Sequence, residues 1–131
     1  MKVLSLTEPY ATLILKGYKT IETRSWKTFY RGKLYIHASS TRIPARIREN
    51  KELFSMVNPG ETHPGYILCS CILSDCIEMT DEFIETVKKN PNEYTSGIYE
   101  KGRYAWILKD IVALNKPIKA KGRLGIWELE E

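Results

Sequence analysis

The sequence predicts a small α+β chain: a mostly antiparallel β-barrel of five or six strands with two or three flanking helices. Three observations predict it. The chain has 131 residues, 43% of them apolar, which is enough for one core without staples at this size. Period-2 alternation recurs in short runs, as in half-buried strands. The helical stretches are short and do not alternate regularly with the strands, so a doubly wound parallel sheet is not expected. With no internal repeat, low-complexity tract or linker, residues 1–131 read as a single domain.

Each element has a local reason. Residues 2–6 form a short apolar strand. Residues 9–16 (PYATLILK) read as a helix with Pro9 in its first turn and Gly17 just past its end, the positions where each is best tolerated. Residues 20–26 are β-branched and alternating, hence extended. After the Arg31-Gly32 turn, residues 33–39 (KLYIHAS) alternate cleanly. Leu34, Ile36 and Ala38 share one face; Lys33, Tyr35 and His37 share the other, which places His37 on the surface. Residues 44–56 are a second helix with Ile43, Ile47, Leu53 and Phe54 as its apolar stripe. The Asn58-Pro59-Gly60 and His63-Pro64-Gly65 clusters are loops. Residues 66–79 are the longest strand. Thr80 or Asp81 caps a helix that Asn90-Pro91 stops. Residues 104–114 are another long strand, residues 118–121 lead into a glycine-flanked turn, and residues 126–129 close the chain as a last strand. Trp106 and Trp127 alternate with aliphatics and read as core.

Composition excludes several classes. No apolar run approaches the ~18 residues of a membrane span. The N-terminal stretch breaks at Thr7-Glu8-Pro9 and makes a poor signal peptide, so a soluble, cytoplasmic protein is expected. The odd set of Cys69, Cys71 and Cys76 argues against a fully paired disulfide framework and reads as small, reduced, buried side chains. With His37 and His63 the only other soft donors, neither a metal nor a cofactor is expected. The net charge of +4 is uneven: residues 1–50 carry +7, residues 51–100 carry −6 and residues 101–131 carry +3. If the fold joins the basic ends, they make a positive face for an anionic partner; a solvated, mixed-charge surface accounts for the same numbers.

The densest chemistry lies in GYKTIETRSW, residues 17–26. Lys19 is a mobile point charge suited to a phosphate or a base carbonyl, and Arg24 offers a two-point fork. A straight strand would put Glu22, Arg24 and Trp26 on one face, with Glu22 orienting Arg24 or Lys19. Trp26 and Tyr10 are candidate stacking platforms, and Arg123 a second phosphate contact. Each also has a structural reading: an ion pair for Glu22 and Arg24, packing for Trp26 and Tyr10. For Ser39 and Ser40, turn chemistry is sufficient.

These residues resemble the ASCH domain, a PUA-like family. The family pattern is an apolar strand, a Gln-Pro-aromatic-Ala helix start and then Gly-x-Lys-x-x-Glu-x-Arg. Here it reads Glu8-Pro9-Tyr10-Ala11, then Gly17, Lys19, Glu22 and Arg24, with Glu8 in place of the usual Gln. Trp26, the Arg31-to-Leu34 stretch, Gly122 and the closing Ile126-Trp127-Glu128-Leu129 are similar to the transcriptional-coactivator type. The resemblance covers essentially the whole chain. It implies a PUA-like β-barrel with a cleft beside the first helix that takes RNA or a nucleotide, and a possible protein partner in a transcription or translation complex. Some relatives resemble metal-independent amidohydrolases of acylated cytidine, with a Thr three residues after the Lys. Here that position is Glu22, so the nucleophile does not carry over, although a Lys19–Glu22 acid/base pair remains conceivable for an enzyme. Other relatives are ribonucleases, whose site residues have no clear counterpart in this chain.

Overall fold

The computed structural model describes residues 1–130. Its strands are β1 (Lys2–Leu6), β2 (Ile21–Arg24), β3 (Gly32–Ala38), β4 (Tyr66–Glu78), β5 (Tyr104–Lys119) and β6 (Ile126–Glu128). Its helices are α1 (Tyr10–Leu15), α2 (Ala45–Arg48), α3 (Lys51–Phe54), α4 (Asp81–Lys88) and α5 (Pro91–Thr95). The strands form one curled half-barrel sheet in the order β2-β5-β4-β3-β1-β6. Only β1 and β3 run parallel; every other neighbouring pair is antiparallel. The α+β, mostly antiparallel expectation therefore holds.

The main core fills the inside of the curl. Leu4, Leu6, Leu34, Ile36, Leu73 and Trp106 meet Ala11 and Ile14 of α1 there. Burying side chains of this size is worth about 1.5–3 kcal/mol each. Helix α1 ends in a Schellman turn. Gly17, at φ +82°, donates its N–H to Ile14 O, and Tyr18 donates to Leu13 O. The left-handed residue reverses the chain, leaving Tyr18 outside and turning Lys19 inward.

Asparagines explain why five helices replace two or three. The single helix expected over residues 44–56 breaks because Asn50 is extended and its side chain accepts from Leu53 N at 3.1 Å, starting α3 afresh. Asn90-Pro91 ends α4 as expected but also opens α5, with Asn90 as its cap and Pro91 in the first turn, where no N–H is needed. Strand β5 continues through Pro117 where residues 114–117 have no partner in β4, so the missing N–H breaks no ladder bond.

His37 is fully buried, which corrects the surface assignment. The alternation identified its face but not what covers that face. A second cluster around Val3, Ile67 and Trp127 lies there, and the segment after β5 closes over the imidazole. Its Nε2 lies 2.7 Å from Ala120 O and its Nδ1 2.9 Å from Ser5 Oγ, which also accepts from Trp127 Nε1 at 3.0 Å. A carbonyl can only accept, so Nε2 carries a proton and donates to Ala120 O, and in the neutral ring Nδ1 then accepts from the Ser5 hydroxyl. Cys69 and Cys71 are buried, with thiols pushed up to about 12 by desolvation. Cys76 is half-buried, and all three are free.

Glu8, the departure from the family pattern, is also buried. Its carboxylate accepts from Thr12 N at 2.9 Å, Thr12 Oγ1 at 2.7 Å and His63 N at 3.2 Å. Replacing it strands three donors, so Glu8→Ala is expected to cost about 2–4 kcal/mol. Thermal melting should fall by roughly 6–15 °C, with a smaller loss for Glu8→Gln. An unchanged melting temperature for Glu8→Ala would show that water serves those donors equally well.

Candidate functional site

The half-barrel leaves an open side between β2 at one edge and β1 with β6 at the other. The residues that bridge this gap come from residues 17–26. Lys19, only 1% exposed, donates from Nζ to Ile21 O at 2.6 Å and to Ser96 O at 2.5 Å, and pairs with Glu22 Oε1 at 3.5 Å. Glu22 Oε2 accepts from Arg24 Nε at 2.8 Å, and Arg24 Nη2 reaches across to Ser5 O on β1 at 3.3 Å. One charge relay thus runs from the end of α5 through β2 to β1. Burial lowers the Lys19 pKa from its ordinary 10.5, against the pull of Glu22 and Glu93.

The segment after α4 clamps this relay. Glu93 is buried and accepts from Thr20 N, Thr20 Oγ1 and Ile21 N at 2.9, 2.6 and 3.2 Å. Ile98 N donates to Thr23 Oγ1 at 3.0 Å. Gly97 lies so close that a Cβ there would stand 2.9 Å from Thr23 Cγ2. Edge strand β2 is therefore covered on its free side, as an exposed sheet edge needs to be.

Against the relay opens a cleft of about 560 Å³. Residues 5–7, Tyr10, β2, residues 39–41, Arg46 and Ile47, residues 96–98 and residues 121–125 line it. Its charged lining is five cations (Lys19, Arg24, Arg46, Lys121 and Arg123) against the single carboxylate of Glu22. Lys19 and Arg24 are met by Glu22 and, behind Lys19, by the buried Glu93, so Arg46, Lys121 and Arg123 set the remaining field. None of the three takes part in an ion pair among the described residues. Such a cleft focuses positive potential. Hydroxyls of Thr7, Ser39, Ser40 and Thr41 in the lining can donate to or accept from a ligand.

Five of the six candidate residues, Tyr10, Lys19, Glu22, Arg24 and Arg123, line this one cleft. Tyr10 is half-buried with its hydroxyl pKa raised by burial and then by Glu22, and its ring lies 5.3 Å from Lys19 Nζ. Two expectations need correction. Lys19 is not a mobile surface charge but a buried one, because the Schellman turn points it inward. Trp26 is outside the cleft: β2 ends at Arg24, so the period-2 extrapolation stops there, and Trp26 packs edge-on against Trp106 at 4.8 Å. Sequence reasoning missed Arg46, Glu93, Lys121, the lining hydroxyls and residues 96–98. Lys121 had a signal, since it abuts Gly122-Arg123. The others are joined to the site only by tertiary contacts. No group of three His, Cys, Asp or Glu suited to a metal occurs among the described residues, and no described helix is long and apolar enough to cross a membrane.

The ASCH domain family model matches residues 4–118. The mouse and human proteins called Activating signal cointegrator 1 are 28% and 27% identical over 97% of this chain. The chain spans only 22% of either relative. Among solved structures, an ASCH protein of Zymomonas mobilis superposes with TM-score 0.54 at 16% identity, covering 90% of this chain and 72% of that one. A point variant of it gives 0.53 at 17%, covering 90% and 74%. At those identities the likeness is one of fold.

The relay makes two testable statements about Lys19. Removing its charge in Lys19→Met leaves the Ile21 and Ser96 carbonyls without this buried donor and Glu22 with Arg24 as its one remaining cation, at a cost of about 3–5 kcal/mol in denaturant unfolding near neutral pH. Because its pKa is lowered on folding, the unfolded chain holds this proton more tightly. The stability of wild type relative to Lys19→Met is therefore expected to rise with pH between the folded pKa and 10.5. A difference that shrinks as pH climbs through that window contradicts the desolvation assignment.

Proposed function

The chain belongs to the ASCH domain family, a PUA-like family associated with RNA binding, and on that premise we propose that it binds single-stranded RNA, or a nucleotide, in the basic cleft. One observation carries the reading: a cleft whose only carboxylate is already paired and whose unpaired charges, Arg46, Lys121 and Arg123, are all cations. A volume near 560 Å³ falls in the range of pockets that hold a small ligand, which suits a short splayed segment better than a duplex. Phosphates would meet the cationic rim, the hydroxyls of residues 39–41 would meet sugar or phosphate, and Tyr10 offers a ring to a base.

Hydrolysis of a modified nucleoside has less support. A lysine acting as base must shed a proton and reach a nucleophile, whereas the Lys19 ammonium is spent on Ile21 O, Ser96 O and Glu22. Thr20 Oγ1 is spent donating to Glu93, and Thr23 Oγ1, which accepts from Ile98 N, makes no hydrogen bond with Lys19 that would activate it. The name of the curated relatives, cointegrator, makes a protein partner in a transcription complex a further possibility for the same domain. The rim cations would then serve both.

The test is a polarisation titration of a labelled single-stranded RNA of about eight nucleotides over a range of salt concentrations. Wild type is expected to give a linear log–log salt dependence. Each of Arg46→Ala, Lys121→Ala and Arg123→Ala should weaken binding several-fold and reduce the slope by about 0.7, with the melting temperature unchanged. Absence of binding at low salt, or a triple variant that binds like wild type, would remove the proposal.

A further inference from the structure

We propose that Leu124 is a wedge that seats against an unstacked nucleobase at the mouth of the cleft, so that the site takes splayed single-stranded ends or loops in preference to stacked or paired strands. This rests on the RNA-binding reading above and adds a role that charge alone cannot supply. Leu124 is 98% exposed, yet it lines the cleft. A single exposed leucine on a protein surface is ordinary; its setting is not. It projects beside Arg123 and three residues after Lys121, two of the cations left unpaired at the rim. An apolar side chain next to unpaired cations in one cleft fits the alternation of base and phosphate along a nucleic-acid strand. It fits an apolar protein surface poorly, because docking there would desolvate both cations.

The loop that carries Leu124 is held at its base and free at its tip. Ala120 O accepts from His37 Nε2. Gly122 sits so tightly on the same pair that a Cβ would lie 2.8 Å from Ser5 Oγ and 2.9 Å from His37 Cε1. On the return side, Trp127 Nε1 donates to Ser5 Oγ, and Gly125 turns the chain at φ +65°, a left-handed conformation that glycine adopts freely. Three anchors thus converge on the Ser5–His37 pair, and residues 123–124 between them project without a packing partner. Ile98 is the other exposed large apolar side chain of the lining, at 41%, and Thr23 Oγ1 holds its backbone N–H. The cleft therefore presents aliphatic side chains from two separately anchored loops, with cations beside them. Aliphatic side chains inserted at base steps unstack them.

The experiment uses the full chain and a single-stranded RNA with 2-aminopurine at successive positions, whose emission rises when the base unstacks. Wild type is expected to raise emission at one position on binding. Leu124→Ser should abolish that rise and weaken binding by about tenfold, as expected for losing most of a leucine's burial. Its salt slope should stay at the wild-type value, because no phosphate contact is lost. Leu124→Met should restore both affinity and emission. Phe29→Ser, at a residue 87% exposed but outside the cleft, should behave as wild type. An emission rise and affinity unchanged in Leu124→Ser overturn the wedge while leaving the RNA-binding reading intact. No binding by wild type at low salt overturns both.

Discussion

The buried Lys19 ammonium holds the open side of this molecule together. A curled sheet that does not close has two free edges, and its gap must be spanned by something other than a ladder. Here a lysine, a glutamate and an arginine span it in sequence, from Ser96 O through Glu22 to Ser5 O. Burying a lysine is costly unless its charge and hydrogen bonds are met. Two carbonyls and a carboxylate meet them, and Glu93 adds attraction from behind. The family's Gly-x-Lys-x-x-Glu-x-Arg spacing then has a structural reason. Glycine turns the lysine inward, a step of three places the carboxylate beside it, and a step of two along a strand puts the arginine on the same face.

That arrangement divides the charges of the cleft into two groups with different work. The inner group, Lys19 and Arg24, is balanced by Glu22 and by Glu93 behind it and shapes the floor. The outer group, Arg46, Lys121 and Arg123, has no anionic partner among the described residues and faces solvent, where a polyanion would find it. Substituting an inner residue therefore tests the fold as much as the ligand. Only the rim separates the two.

Much of this was legible from residue order. Gly17 at the end of the first helix, the clean alternation of residues 33–38 and the apolar residues 66–79 each predict their element by a local rule. The family resemblance, rather than any local rule, implied a cleft beside the first helix, and of the six candidates Tyr10, Lys19, Glu22, Arg24 and Arg123 line one while Trp26 does not. What escaped depended on distant segments. His37 lies on the face that alternation assigns it, but the covering residues come from the far end of the chain. Trp26 falls outside the site because β2 stops two residues short of it. Glu93 is one carboxylate among nine in the acidic middle of the chain. Its role exists only because α5 folds back onto residues 20 and 21. Asn50 and Asn90 carried local capping signals, but each was read as helix interior or stop when it also begins a helix.

Backbone amide shift mapping with a single-stranded tetranucleotide tests the account most directly. Perturbations are expected to cluster at residues 39–41, 96–98 and 121–125 and near Arg46, with small changes in α4 and the outer half of β5. The Lys19 ammonium should stay protected from exchange in free and bound protein alike. Shifts centred away from the cleft, or a Lys19 ammonium that exchanges freely, would contradict the division between a sealed inner relay and an open cationic rim.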